Sequence, residues 1–321
     1  MSTPMPPSFA VIVPAFEAEK TIGEALQSAF DQTLPAAQVI VCDDGSADRT
    51  AAIAESFGER VTLIRQENRG PSAARNAAIA AADTDWVVNL DADDTLLPRN
   101  LAARTELLAA DPGLEIIATD GLVEVDGIVQ RHLYGPSWQF ESGDQRRGIL
   151  ERCFIISWAV RRRSLLAAGG FDPGLTHAED WECFIRMILG GARAGFVDEP
   201  LSRYRLRPGS LSNQAVRLQE GHVQAMRKTA ADERLTDLER NRVLAAVGSY
   251  EAELRLARLR EAVLEGGSAA RAEARKALRR ADTPLPTRAK AGLALLAPGL
   301  ARRVASRRGR DTGAGVTLPV E

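Results

Sequence analysis

In FAVIVPAFEAEKTIGEALQSAFDQTLPAAQVIVC, residues 9–42, two apolar runs flank one amphipathic segment. FAVIV (9–13) and QVIVC (38–42) are rich in Val and Ile and show no polar alternation, the pattern of strands buried on both faces. Between them, KTIGEALQSAFDQ (20–32) sets Ile22, Ala25, Leu26, Ala29 and Phe30 on one helical stripe. Strand, helix, strand at this spacing is a βαβ unit, with parallel strands and a right-handed crossover. The pattern continues outward. VTLIR (61–65) and WVVNL (86–90) read as further strands. DRTAAIAESFG (48–58) reads as a helix ending in a C-cap glycine, and PSAARNAAIAAA (71–82) as one opened by Pro71. The expected class is α/β, a mainly parallel sheet flanked by helices.

Past Pro98, RNLAARTELLAAD (99–111) predicts a helix and LVEVDGIVQRHL a hairpin around Asp126–Gly127. CFIISWAVRR (153–162) reads as a strand, EDWECFIRMILGG (179–191) as a helix, and AGFVDEPLSRYRL (194–206) as one or two strands. From about 214 the pattern is almost wholly helical. The expected organisation is an α/β domain over 1–213, a helical region over 214–310 and a disordered tail over 311–321. The 321 residues carry a formal net charge of -2, which gives no drive toward nucleic acid. Charge is uneven, however: residues 251–310 hold 15 Lys or Arg against 6 Asp or Glu. Three distant cysteines, Cys42, Cys153 and Cys183, indicate neither a disulfide framework nor a zinc motif, and suit a reducing, cytoplasmic location. The N-terminus does not read as a secretory signal, and no apolar run is long enough to predict a membrane span.

Acidic groups gather where strands end. Asp43 and Asp44 follow the second strand; Asp91, Asp93 and Asp94 follow the fourth. Ligands of open parallel sheets bind at these carboxyl ends. An Asp-x-Asp pair there suits a divalent cation held by hard oxygens, with a diphosphate completing the shell. Each segment also has a plainer reading, as a turn leading into a capped helix. Likewise Arg75 either reaches a ligand or forms an internal ion pair. Glu179 and Asp180 either do chemistry or complement a helix dipole.

The ordered set VIVPAFEAEKTI, VIVCDDGSADRT, ENRGPSAARNAAI, VVNLDADDTLLP, GGFDPGLTHAEDWECFIRM and YRLRPGSLS resembles a family-2 glycosyltransferase of GT-A fold across roughly residues 8–213. The resemblance implies an inverting enzyme that moves a sugar from a nucleotide-sugar donor, UDP-linked, to a glycan, lipid-linked or small-molecule acceptor with Mg2+ or Mn2+. It implies that Pro14, Ala15, Phe16 and Glu17 cradle the nucleotide, although many relatives carry Asn in place of Glu17. It also implies that Asp43 accepts from the base imide, that Arg75 reaches base or phosphate, and that Asp91 contacts ribose or a metal-bound water. Asp93 would coordinate the metal, and Asp94 would contact the sugar or support the turn. Asp180 would be the general base. Glu179 and Trp181 would face sugar or acceptor, with Trp181 alternatively in the core. Arg207, where relatives often place His, would clamp the diphosphate. His177 is expected at the surface.

In the C-terminal region, TRAKAGLALLAPGLARRVASRRGR (287–310) pairs a short apolar segment with basic flanks. That suits peripheral contact with an anionic membrane face, or simply a solvated helix. The helical region as a whole is expected to pack on the catalytic domain or on a second subunit in a homodimer. Two rival functions are a non-catalytic nucleotide-sugar-binding protein and a phosphatase forming a phospho-aspartate. The phosphatase needs a downstream Lys, and none occurs between Asp94 and Lys228.

Overall fold

The computed structural model describes residues 6–134, 138–206, 215–279 and 285–311. The chain divides after Arg207 into two compact units. In the first, β1 (Phe9–Ala15), β2 (Gln38–Asp43), β3 (Thr62–Arg65) and β4 (Trp86–Asn89) pair in the order β3-β2-β1-β4, every pair parallel. Their Val and Ile side chains are buried on both faces in β1 and β2, as a helix-covered parallel sheet requires. The connecting helices are α1 (Ile22–Phe30), α2 (Thr50–Glu55) and α3 (Pro71–Ala81). α1 buries Ile22, Ala25, Leu26 and Ala29, the stripe expected from its spacing.

The second half of the sheet is mixed. β6 (Ile116–Val125) forms the expected hairpin with β7 (Ile128–His132) and runs parallel to β9 (Ala194–Leu206). β8 (Ala159–Arg161) lies antiparallel between β4 and β6, and the two-residue β5 (Thr95–Leu96) pairs antiparallel with β9. Helices α4 (Asn100–Ala110), α5 (Gln145–Glu151), α6 (Arg162–Ala167) and α7 (Glu179–Leu189) complete the unit. The expected strand over 153–162 is thus only three residues of β8. The preceding backbone keeps bonds from Thr119 N to Ile156 O and from Asn89 N to Trp158 O, and is otherwise held by side chains. The Tyr134 hydroxyl donates to Phe154 O at 3.0 Å and accepts from Ile156 N at 3.1 Å. The buried Arg104 donates to Ser157 O at 2.7 Å and to Ile117 O at 2.9 Å. Ser157 itself is left-handed, with φ 48°. Helices α5 and α6 were not foreseen, though Asp144 caps α5 by accepting from Arg147 N at 3.0 Å, a signal open to reading.

The second unit is helical: α8 (Ala215–Ala230), α9 (Asp237–Glu265), α10 (Gly267–Arg279), α11 (Leu285–Leu296) and α12 (Pro298–Asp311). A reciprocal Thr236–Glu239 capping box starts α9. Leu259 and Val263 of α9 pack with Ala270, Ala274, Ala277, Ala291, Ala294 and Ala301 in a small alanine-rich core. The tail expected over 311–321 lies, from 312 on, outside the described residues. Among the described residues no helix is long and apolar enough to cross a membrane.

The turn after β2 shows how tightly the rim is built. Gly45 has φ 79°, and a Cβ there would stand 2.9 Å from Asn68 N and 3.2 Å from Gln66 O. Asp44 beside it accepts from Gln66 Nε2 at 2.7 Å, Arg69 N at 2.9 Å and Gly70 N at 2.8 Å. Gly45→Ala therefore meets both a left-handed backbone and a backbone wall. A loss of about 2–4 kcal/mol is expected, read as a thermal midpoint lowered by roughly 5–15 °C. An unchanged midpoint would contradict the tight approach.

Candidate active site

Parallel register brings the strand ends level: Ala15 lies opposite Asp43, and Asp43 opposite Arg65. In the segment after β1, Pro14 is half-buried, Ala15 is buried and Phe16 is 50% exposed. Glu17 is left-handed, with φ 49°, a conformation that Asn tolerates better. Its N–H donates to Ser46 Oγ and its carboxylate accepts from Ala47 N, both at 3.0 Å. Glu17 therefore stitches the first loop to the second, and its side chain is turned to the protein. Asp43 is fully buried. One oxygen accepts from Ser46 N at 3.3 Å; Oδ2 has no hydrogen-bond donor and lies 3.6 Å from Arg65 Nε. A buried carboxylate oxygen in that state is suited to a ring N–H arriving with a ligand.

The turn after β4 holds the acidic cluster. Asp94 N donates to Asp91 O at 2.9 Å, and the Asp94 carboxylate accepts from Arg205 N at 2.9 Å. Asp94 thereby supports the turn and ties it to β9. Burial, then Asp93 and Asp91, push its carboxyl well above the usual range. Arg205 pairs with Glu24 at 2.5 Å and Glu124 at 3.5 Å, so this basic group is spent on the protein. Arg207, expected to clamp a diphosphate, lies outside the described residues.

Arg75 is the centre of the arrangement. It donates through Nε to Asn89 Oδ1 at 3.1 Å, through Nη2 to Asp91 Oδ1 at 3.0 Å and through Nη1 to Glu179 Oε1 at 2.5 Å. The internal ion pair, one of its two sequence readings, is present with both Asp91 and Glu179. Burial opposes its charge, but Asp91, Glu179 and Asp180 outweigh burial and hold the guanidinium above its ordinary value.

Glu179 and Asp180 head α7 after Ala178, a left-handed residue with φ 58°. The Asp180 carboxylate accepts from Trp181 N at 2.7 Å. Burial first, then Glu179 and Asp91, push its carboxyl up to about 6, against Arg75 and the Trp181 N–H. Trp181 is a correction to its sugar-facing assignment. It is 2% exposed and gives its indole N–H to Ile149 O at 2.7 Å, so the indole belongs to the core. His177 is likewise buried, because the loop before α7 packs inward. Sequence reading missed Asn89, Asn76 and Cys153. Asn76 donates to Phe171 O at 2.7 Å and accepts from Phe171 N at 2.9 Å. Burial raises the Cys153 thiol and so do Asp180 and Glu179, which puts Cys153 in the same electrostatic neighbourhood.

Among the described residues no three His, Cys, Asp or Glu side chains form a ready metal group. The donor set nonetheless fits a hard divalent ion bound together with a ligand. Asp91 is committed to Arg75 and Asn89, while Asp93 stands half-buried at the same negative turn. A carboxylate there suits Mg2+ or Mn2+ whose other positions are filled by diphosphate oxygens and water.

Residues 10–170 match the profile described as glycosyl transferase family 2. The chain is similar to succinoglycan biosynthesis protein ExoU of Rhizobium meliloti (strain 1021), 32% identical over 212 residues. That match covers 60% of this chain, and the chain spans 60% of the length of that relative. Among solved structures it is similar to S. aureus TarS 1-349 in complex with UDP-GlcNAc, at 18% identity and TM-score 0.58, covering 95% and 92% of the two chains. It is also similar to the mannosyltransferase PcManGT from Pyrobaculum calidifontis in complex with GDP-Man and Mn2+, at 22% identity and TM-score 0.59, covering 95% and 87%. At such identities these two likenesses are of fold.

Asp180 provides a measurable signature. A carboxyl whose folded pKa is raised destabilises the fold once it ionises. The cost is absent below about pH 4, grows as pH rises toward 6, and is complete above it. Asp180→Asn should thus be more stable than the parent by about 1–2 kcal/mol at pH 7.5, with the difference vanishing near pH 4 in thermal unfolding. Equal stability at pH 7.5 would count against the raised carboxyl.

Proposed function

The chain belongs to glycosyl transferase family 2, and on that premise we propose that it is an inverting, divalent-metal-dependent glycosyltransferase that takes sugar from a UDP-linked donor. The observation that carries this reading is the convergence, through Arg75, of Asp91 at the sheet rim with the head of α7 that bears Asp180. Catalysis is assigned to the domain expected over residues 1–213, which contains the first unit up to Arg207, with the helical region 214–310 as an accessory. TarS and PcManGT, of the same fold, are seen with UDP-GlcNAc and with GDP-Man and Mn2+ respectively, and ExoU is named for succinoglycan biosynthesis. The nucleotide-sugar donor class is taken from there, while a glycan, lipid-linked or small-molecule acceptor is what the sequence resemblance implies.

In this reading Asp43 Oδ2 accepts the imide N–H of uracil, a charge-assisted bond at a buried oxygen that has no hydrogen-bond donor from the protein. Pro14, Ala15 and Phe16 border the nucleotide, and Asp91 meets the ribose. Asp93 would hold Mg2+ or Mn2+; when bound, the ion supplies neutralising charge for the departing diphosphate. Asp180, ionised above about pH 6, accepts the proton of the acceptor hydroxyl as its oxygen attacks the anomeric carbon. The glycosidic bond to the diphosphate breaks on the opposite side, which inverts the anomeric centre. One carboxylate suffices because no sugar–enzyme bond forms. The presence of both Asp93 and Asp180 argues against a purely binding role.

The accessory region has its own proposed partner, an anionic membrane surface at the cytoplasmic face. Leu285, Leu296, Leu300 and Val304 of α11 and α12 are exposed, Leu296 by 89%. Residues 285–311 carry seven Lys or Arg against one Asp. Exposed leucines among cations are what a helix at a charged lipid interface needs.

A panel of UDP-sugars with Mn2+ should yield UDP release from at least one donor. Asp180→Asn should keep UDP affinity and slow release by about 10²–10⁴-fold, while Asp93→Ala should abolish metal-dependent UDP binding in calorimetry. UDP binding without turnover of any donor would return the non-catalytic reading, and hydrolysis of a simple phosphate ester without UDP affinity the phosphatase. In flotation, the full chain should rise with vesicles containing anionic lipid and stay down with neutral ones; failure to float with anionic vesicles removes the membrane proposal.

A further inference from the structure

Arg75 joins three segments that are distant in sequence: α3, the end of β4 and the head of α7. Its neighbours on α3 repeat the attachment. Ser72 Oγ donates to Leu175 O at 3.4 Å, and the Asn76 amide takes both backbone groups of Phe171. The approach is close enough that a Cβ on Gly170, at φ 69°, would come within 2.6 Å of Asn76 Oδ1. The start of α3 is fixed in turn by Asp44, which accepts from the N–H of its N-cap Gly70. Arg75 thus projects from an anchored helix, with 11% of its side chain exposed.

We propose that Arg75 is a positioning residue, a strut that fixes Asp180 at a set distance and charge relative to donor-side Asp91, and not a ligand of the donor. The inference rests on the reading of Asp180 as general base. Two properties of the side chain support it. The planar fork of a guanidinium meets Asp91 and Glu179 with separate nitrogens, which a single ammonium point cannot reproduce. Its charge also counters the negative groups around Asp180. These are Glu179 from α7 itself and Asp91 beyond β4; the buried Cys153, between α5 and β8, is kept a neutral thiol by burial and by Asp180 and Glu179. Without Arg75, Asp180 would face Glu179 and Asp91 with their shared cation gone, and its ionised form would be harder to reach.

The test is the pH dependence of UDP release from the UDP-sugar that turns over fastest with Mn2+, together with UDP affinity by calorimetry. Arg75→Gln should move the acid limb of the rate profile up by about one pH unit and lower the rate near neutrality by about 10–100-fold. Its UDP affinity should stay within about threefold, a difference of ~0.7 kcal/mol. Arg75→Lys, which retains charge but loses the fork, should keep the acid limb and still lose rate. Glu179→Gln removes a negative neighbour of Asp180 and should move the limb down, opposite to Arg75→Gln; this variant carries the test if Arg75→Gln does not fold. An acid limb unmoved in Arg75→Gln, with UDP affinity reduced about tenfold or more, would make Arg75 a donor ligand and overturn the proposal. A limb that fails to move down in Glu179→Gln would overturn it as well. Asp180→Asn separates the two levels. If that variant is as fast as the parent, the base reading fails. If it is slow while Arg75→Gln keeps the parental limb, the base reading stands and only the strut fails.

Discussion

Parallel pairing of β1 with β2 and β4 makes all three strands end at one rim, and everything chemical in the first unit hangs from that constraint. It sets Ala15 level with Asp43 and carries the chain from Asn89 directly into the acidic turn. An antiparallel arrangement of the same strands would have sent alternate loops to opposite edges. The rim is then stiffened by polar links between successive loops. Ser46 and Ala47 engage Glu17, Asp44 gathers residues 66–70, and Arg205 holds Asp94. A site that must meet a charged ligand in register is thereby built from loops with little freedom of their own.

Holding like charges together works against stability, and the structure manages this unevenly. Arg75 pairs directly with Asp91 and Glu179, whereas Asp180 receives only a backbone N–H and the more distant influence of that guanidinium. Asp180, like the buried Asp94 of the acidic turn, is therefore a carboxylate that takes up a proton more readily than an exposed one. Stability given up at a group so placed is a common mark of a working site. The second unit follows a different economy. Its core is largely alanine, with Leu259 and Val263 as the larger members, while larger leucines of α11 and α12 remain exposed. Exposed apolar groups of this kind are what the proposed membrane contact draws on.

Much of this was legible in the residues themselves. Val- and Ile-rich runs, a 3.6-residue apolar stripe and turn residues are local properties, so β1 to β4, α1 to α4, the Asp126–Gly127 hairpin and the helical C-terminal region could be read directly. The six spaced motifs identified the family, and the acidic residues of the rim could be named because strand ends carry ligands in parallel sheets. What the chain did alone, then, was to set the element types, their parallel start and the inventory of acids. Tertiary structure decided which of those acids are occupied and by what. It turned Glu17 toward Ala47, sank Trp181 into the core and spent Arg75 on Asp91 and Glu179. It also shortened the expected strand over 153–162, because Tyr134 and Arg104 reach in from elsewhere to satisfy that backbone. The physical reason is common to all of these. A side chain's charge and shape are fixed by its own residue, but its partner is fixed by contacts tens of residues away, and only the folded chain brings those into range.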